Sequence, residues 1–138
     1  MADLVNSPAH YQGRGGLEAI TAIEATFDLA GHGPTVMKYI LRHRRKGRPA
    51  EDLAKARWYV DRLICARGRL ARLPAMRLDA MAHIADVFDL DGPARDALMF
   101  LFDAVSAHAE DRYRADLRNA SQALGRAIER LERAEAVG

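Results

Sequence analysis

Six basic residues stand within eleven positions, Lys38, Arg42, Arg44, Arg45, Lys46 and Arg48, with no acid among them. Lys38, Arg42 and Arg45 follow i, i+4, i+7 spacing, so on a helix they share one stripe. Like charges so placed weaken an isolated helix by roughly a few tenths of a kcal/mol per pair. Compensation is expected from carboxylates on a neighbouring helix or from a bound phosphate, which arginine and lysine hold through charge-assisted hydrogen bonds. Candidate carboxylates are Glu18, Glu24, Asp28, Glu51 and Asp52. A second polar stripe, Asp52, Lys55, Tyr59 and Arg62, offers a point charge for phosphate in Lys55. Tyr59 in that stripe is suited to stacking on a base or bonding a sugar. Upstream, His10-Tyr11 pairs a titratable ring with an aromatic in an otherwise polar stretch.

Helices must position these groups. Residues 1–14 lack periodicity and read as an irregular arm. Leu17, Ile20, Ile23 and Phe27 recur at helical spacing, which predicts a helix over about residues 16–30. Gly31-His32-Gly33-Pro34 breaks it. A second helix is expected from Pro34 to about Lys46, with Val36, Met37, Ile40 and Leu41 inward. A third runs from Pro49 to about Arg72, with Leu53, Ala56, Val60, Leu63, Ile64 and Arg67 on its core face and the Asp52 stripe turned away. Pro74 stops it, and further helices are expected over about 77–89, 93–109 and 112–136. The last carries Leu117, Ala120, Leu124, Ala127, Leu131 and Ala134, a short heptad-like stripe that suits either intrachain packing or a dimer seam. The expected fold is therefore an all-α, compact helical domain, with three N-terminal helices and two or three C-terminal ones. Residues 1–74 are expected to form the binding domain and residues 75–138 a helical extension for packing or oligomerisation.

Composition agrees and excludes several classes. Of 138 residues only 7% are aromatic, while alanine, leucine and arginine abound, a mix that favours helix over sheet. The lone Cys65 excludes a disulfide framework or a cysteine-rich zinc site, suits a reducing compartment and reads as a packing residue. No apolar run approaches a membrane span, and the opening Met1-Ala-Asp-Leu-Val-Asn lacks the basic-then-apolar order of a signal peptide, so a cytoplasmic protein without membrane contact is expected. The net charge of +2 hides an asymmetry: residues 1–74 carry 13 Lys/Arg against 7 Asp/Glu, and residues 75–138 carry 8 against 12. One half therefore suits an anion. There is no GxxxxGK[ST] loop, Gly13-Arg-Gly-Gly16 follows no strand, and the histidines lack metal-ligand spacing.

The ordered set His10-Tyr11, Gly16-Leu-Glu18-Ala-Ile20 with Ile23-Glu24, Lys38-Tyr39-Ile40-x-Arg42, Lys46-Gly47, Glu51-Asp52-Leu53-x-Lys55-Ala56 and Trp58-Tyr59 resembles the SaV-like domain family of phages and prophages. The resemblance covers roughly residues 6–65. It implies a nucleotide-binding protein, since a phage member of that family is described as a kinase that phosphorylates deoxynucleoside monophosphates without a Walker loop. Transferred position by position, it makes Tyr11, Lys38, Arg42, Lys46, Asp52, Lys55 and Tyr59 nucleotide- and phosphate-binding candidates. His10 and Glu18 become the candidates for proton handling in catalysis. ATP or another nucleotide is the implied phosphate donor, and no metal ligand is assigned. A cluster of cations is apt for such chemistry, because phosphoryl transfer is catalysed mainly by positioning and charge neutralisation.

Three other readings compete. A binder that sequesters nucleotides or nucleotide signals would use the same basic pocket without turnover. A helical nucleotide pyrophosphohydrolase would need several carboxylates on Mg²⁺, for which Glu18, Glu24 and Asp28 are the material. Nucleic-acid binding through Arg42 to Arg48 ranks last, because the acidic C-terminal half leaves too small a basic footprint. The expected partners are a nucleotide ligand and further copies of the chain as a homo-oligomer.

Overall fold

The computed structural model describes residues 32–45, 47–65, 80–107 and 109–137. Within them lie five α-helices and no strand: α1 (His32–Arg42), α2 (Pro49–Cys65), α3 (Ala80–Val87), α4 (Gly92–Ser106) and α5 (Glu110–Val137). The all-α class expected from composition and periodicity is thus observed. The helix expected over 16–30, the N-terminal arm, and the candidates His10, Tyr11, Glu18 and Lys46 lie outside the described residues.

The 28-residue α5 is the spine, with α4 and α2 packed along it and α1 packed on α2. Val36, Met37, Ile40 and Leu41 of α1 are fully buried, as their spacing requires. They join Leu53, Ala56 and Val60 of α2, Leu98, Leu101 and Phe102 of α4, and Tyr113, Leu117, Ala120 and Leu124 of α5 in one contiguous core. Residues on both sides of position 74 therefore share it. Burying a side chain the size of leucine or phenylalanine contributes about 1.5–3 kcal/mol, so α5 is integral to stability. The first part of the heptad-like stripe, Leu117 to Ala127, is spent on this intrachain packing, and only Leu131 and Ala134 lie further out.

Helix ends differ from expectation where tertiary contacts intervene. α1 stops at Arg42 instead of about Lys46, and residues 43–45 form a turn. α2 starts at Pro49, with Glu51 and Asp52 in its first turn where carboxylates favour the positive end of the helix dipole. α3 closes with paired bonds from Asp89 N–H to Asp86 O (3.1 Å) and from Leu90 N–H to Ala85 O (2.9 Å). Asp89 sits in the left-handed region at φ 59°, the conformation this helix-ending motif demands. Cys65, expected to pack, is exposed at the last residue of α2.

A polar seam sets how α2 rests on α5. Ser121 Oγ donates to Asp61 Oδ1 at 2.6 Å and accepts from Arg57 Nε at 3.2 Å. A side chain at Gly125 would strike the Arg57 guanidinium, so the missing Cβ leaves room for it. Arg114 of α5 donates to the Ile64 carbonyl near the end of α2. Lys55 and Tyr59 of α2 instead meet Tyr39 of α1, and Trp58 stands exposed beside Tyr59.

Candidate functional site

Tyr39 on α1 is the centre of the site. Three cations from two helices stand against its ring: Arg42 Cζ at 4.5 Å, Lys38 Nζ at 4.9 Å and Lys55 Nζ at 5.6 Å from the centroid. The Tyr59 ring stacks beside it, 6.3 Å away and inclined by 14°. Trp58 meets Tyr59 edge-on at 4.9 Å and 87°. Of the nine candidate residues named from sequence, Lys38, Arg42, Asp52, Lys55 and Tyr59 lie within the described residues, and all five belong to this one patch. Tyr39, in which the cations meet, stands within the KYxxR motif yet carried no assigned role.

The cations are partly compensated by carboxylates. Arg42 Nη2 donates to Asp52 Oδ1 at 3.2 Å, and both side chains are buried. Asp52 therefore does not sit on a solvent-facing stripe, as helical spacing alone implied; the guanidinium at the end of α1 draws it inward. Glu51 is shared between Arg48 Nη1 at 3.3 Å and Lys55 Nζ at 3.5 Å. The Arg48 hydrogen bond, followed by the Lys55 charge, pulls the Glu51 carboxyl below its ordinary range. Lys38 has no carboxylate partner among the described residues. Among the described residues, four cations (Lys38, Arg42, Arg48, Lys55) thus stand with two carboxylates (Glu51, Asp52). Beside them a cleft of about 240 Å³ is lined by Gly47, Arg48, Glu51, Asp52 and Lys55.

The rest of the basic run faces elsewhere. Because α1 ends at Arg42, Arg45 leaves the i, i+4, i+7 stripe and docks on the end of α3. There it donates to Phe88 O (2.7 Å), Val87 O (3.1 Å) and Asp89 Oδ2 (2.9 Å). Arg44 donates to Asp89 O at 2.9 Å and to Asp91 Oδ1 at 3.3 Å. Both arginines clamp the α3–α4 turn, so of the described cations in the run only Lys38 and Arg42 stand at the Tyr39 ring.

A second cleft, of about 260 Å³, went unnoticed in the sequence because its walls come from distant segments: His43, Arg44, Leu53, Asp91, Ala94, Arg130 and Leu131 among others. His43 is buried and its Nδ1–H donates to Ile40 O at 2.6 Å. Burial lowers its pKa from 6.5, outweighing the Ile40 hydrogen bond, so the ring is neutral at pH 7. Among the described residues no group of three or more His, Cys, Asp or Glu side chains comes together to hold a metal, and no helix is long and apolar enough to cross a membrane.

Residues 5–61 match the model of a family described only as a protein of unknown function, DUF3310. The matched segment is less than half of the chain, yet it contains all nine candidate residues and Tyr39. No curated protein and no solved structure matches the chain.

Proposed function

We propose that the protein binds a nucleotide at the Tyr39 patch, with Lys38 and Lys55 holding phosphate oxygens and the tyrosines meeting the sugar or base. The observation that carries this reading is the convergence of Lys38, Arg42 and Lys55 on one tyrosine ring, with Lys38 paired to no carboxylate among the described residues. Like charge is costly to gather, and an anion relieves it. Arg42 serves in part as a pin: its bond to Asp52 joins α1 to α2 beside the Tyr39 ring. The SaV-like resemblance supports the same ligand class and makes phosphate transfer to a deoxynucleoside monophosphate the enzymatic form of the reading.

A thermal-shift series over nucleoside mono-, di- and triphosphates, with and without Mg²⁺, tests it, since a ligand bound to the native state raises the melting temperature by mass action. A selective shift that disappears in Lys38→Ala is the expected result, and no shift with any nucleotide overturns the proposal. Incubation of ATP with each deoxynucleoside monophosphate then separates a kinase from a sequestering protein: diphosphate product marks the former, tight binding without product the latter.

A further inference from the structure

Trp58 is 56% exposed, although it is the only tryptophan in the chain. The other large hydrophobic side chain left so open among the described residues is Val137, in the last turn of α5. Tyr39, Tyr59 and Trp58 form a continuous aromatic row whose first two members are half-buried against the core and whose third stands in solvent. Cations bracket the open end. Lys55 lies one turn before Trp58, and Arg62 lies one turn after it with its Cζ 5.3 Å from the indole ring. A lone exposed apolar side chain is ordinary on a protein surface. An indole continuous with a row of rings, clasped by an arginine and adjoining the lysines that stand against Tyr39, is the combination that binds a flat aromatic group attached to phosphate.

We propose that Trp58 is the stacking face for the base of the bound nucleotide, with Arg62 as the cationic jaw beside it and the phosphate directed to Lys55 and Lys38. The inference rests on the nucleotide-binding reading and adds the residue that recognises the base. Stacking accepts any flat π-face, so the site takes all four bases with modest preference; discrimination would need edge-directed hydrogen bonds, which Trp58 does not supply to a base stacked on its face.

The experiment compares two probes on the full chain: the four deoxynucleoside 5′-monophosphates and inorganic pyrophosphate, which has no base. Expected for the native chain is saturable quenching of the Trp58 emission by every monophosphate. Trp58→Leu is expected to lose about tenfold in monophosphate affinity by calorimetry, to keep its pyrophosphate affinity, and to be restored by Trp58→Phe. Monophosphate binding that leaves the emission unchanged, or a Leu variant that binds monophosphate as tightly as the native chain, overturns the stacking role while leaving nucleotide binding intact. Equal loss for both probes in the Leu variant overturns it as well, since the residue would then act on the phosphate site as a whole. Failure of the native chain to bind either probe overturns both proposals.

Discussion

Arg42 and Asp52 face each other across the α1–α2 junction, Nη2 to Oδ1 at 3.2 Å, with side chains only 7% and 4% exposed. Two full charges are thus withdrawn from water at the place where the two helices that carry the candidate site meet. Such a pair adds little over well-packed apolar residues, but removal of one partner strands the other. Arg42→Met, which leaves the buried Asp52 carboxylate without its ion-pair partner, should therefore cost about 3–5 kcal/mol in a urea unfolding experiment, whereas the double change Arg42→Met with Asp52→Leu should recover part of it. If the double variant is no more stable than the single one, the pair does more than neutralise itself. Binding assays on Arg42 or Asp52 variants would report on folding first, which makes Lys38 the better probe.

Lys38 is that probe. It touches the Tyr39 ring, and no described carboxylate pairs with it, so its removal strands nothing. Lys38→Ala should leave the melting temperature nearly unchanged and weaken binding of pyrophosphate or a nucleotide about tenfold, the worth of one charge-assisted hydrogen bond. Unchanged affinity in a calorimetric titration would remove Lys38 from the site.

Arg45 tests the division of the basic run. Its three hydrogen bonds tie the turn after α1 to the end of α3, and one goes to Asp89, the residue at φ 59°. Arg45→Ala should lower stability by about 2 kcal/mol and leave nucleotide affinity untouched. A loss of affinity without a loss of stability would restore Arg45 to the phosphate site.

His43 makes stability depend on pH. In the unfolded chain the ring titrates near 6.5, whereas in the fold burial lowers that value, with Arg44 lowering it further and Ile40 O, Asp52 and Asp91 opposing. Above 6.5 the ring is neutral in both states and its contribution is complete. As the pH falls below 6.5 the unfolded chain takes up a proton that the folded chain refuses, and stability declines until the folded-state value is passed. The melting temperature should fall between about pH 7.5 and about pH 5.5, and it should fall less in His43→Gln. Parallel curves for the two proteins would show that another group controls this window.

The sequence by itself determined the helical class, the inward faces of α1 and α2, and several of the side chains that gather around Tyr39. Periodicity reports burial because every third or fourth residue shares a face, and Val36, Met37, Ile40 and Leu41 are accordingly buried. Lys38, Arg42, Lys55 and Tyr59 were legible because their residue types are few and their spacing puts them on helix faces. The tertiary structure decided which charges are spent. Spacing along one helix cannot tell that Arg45 leaves the helix for α3, that Asp52 turns inward to Arg42, or that the long apolar stripe of α5 meets α2 and α4 of its own chain. Nor can it find a cleft whose walls include both His43 and Arg130. Such pairings cost nothing visible in local sequence, because their energies arise only when distant segments exclude water together.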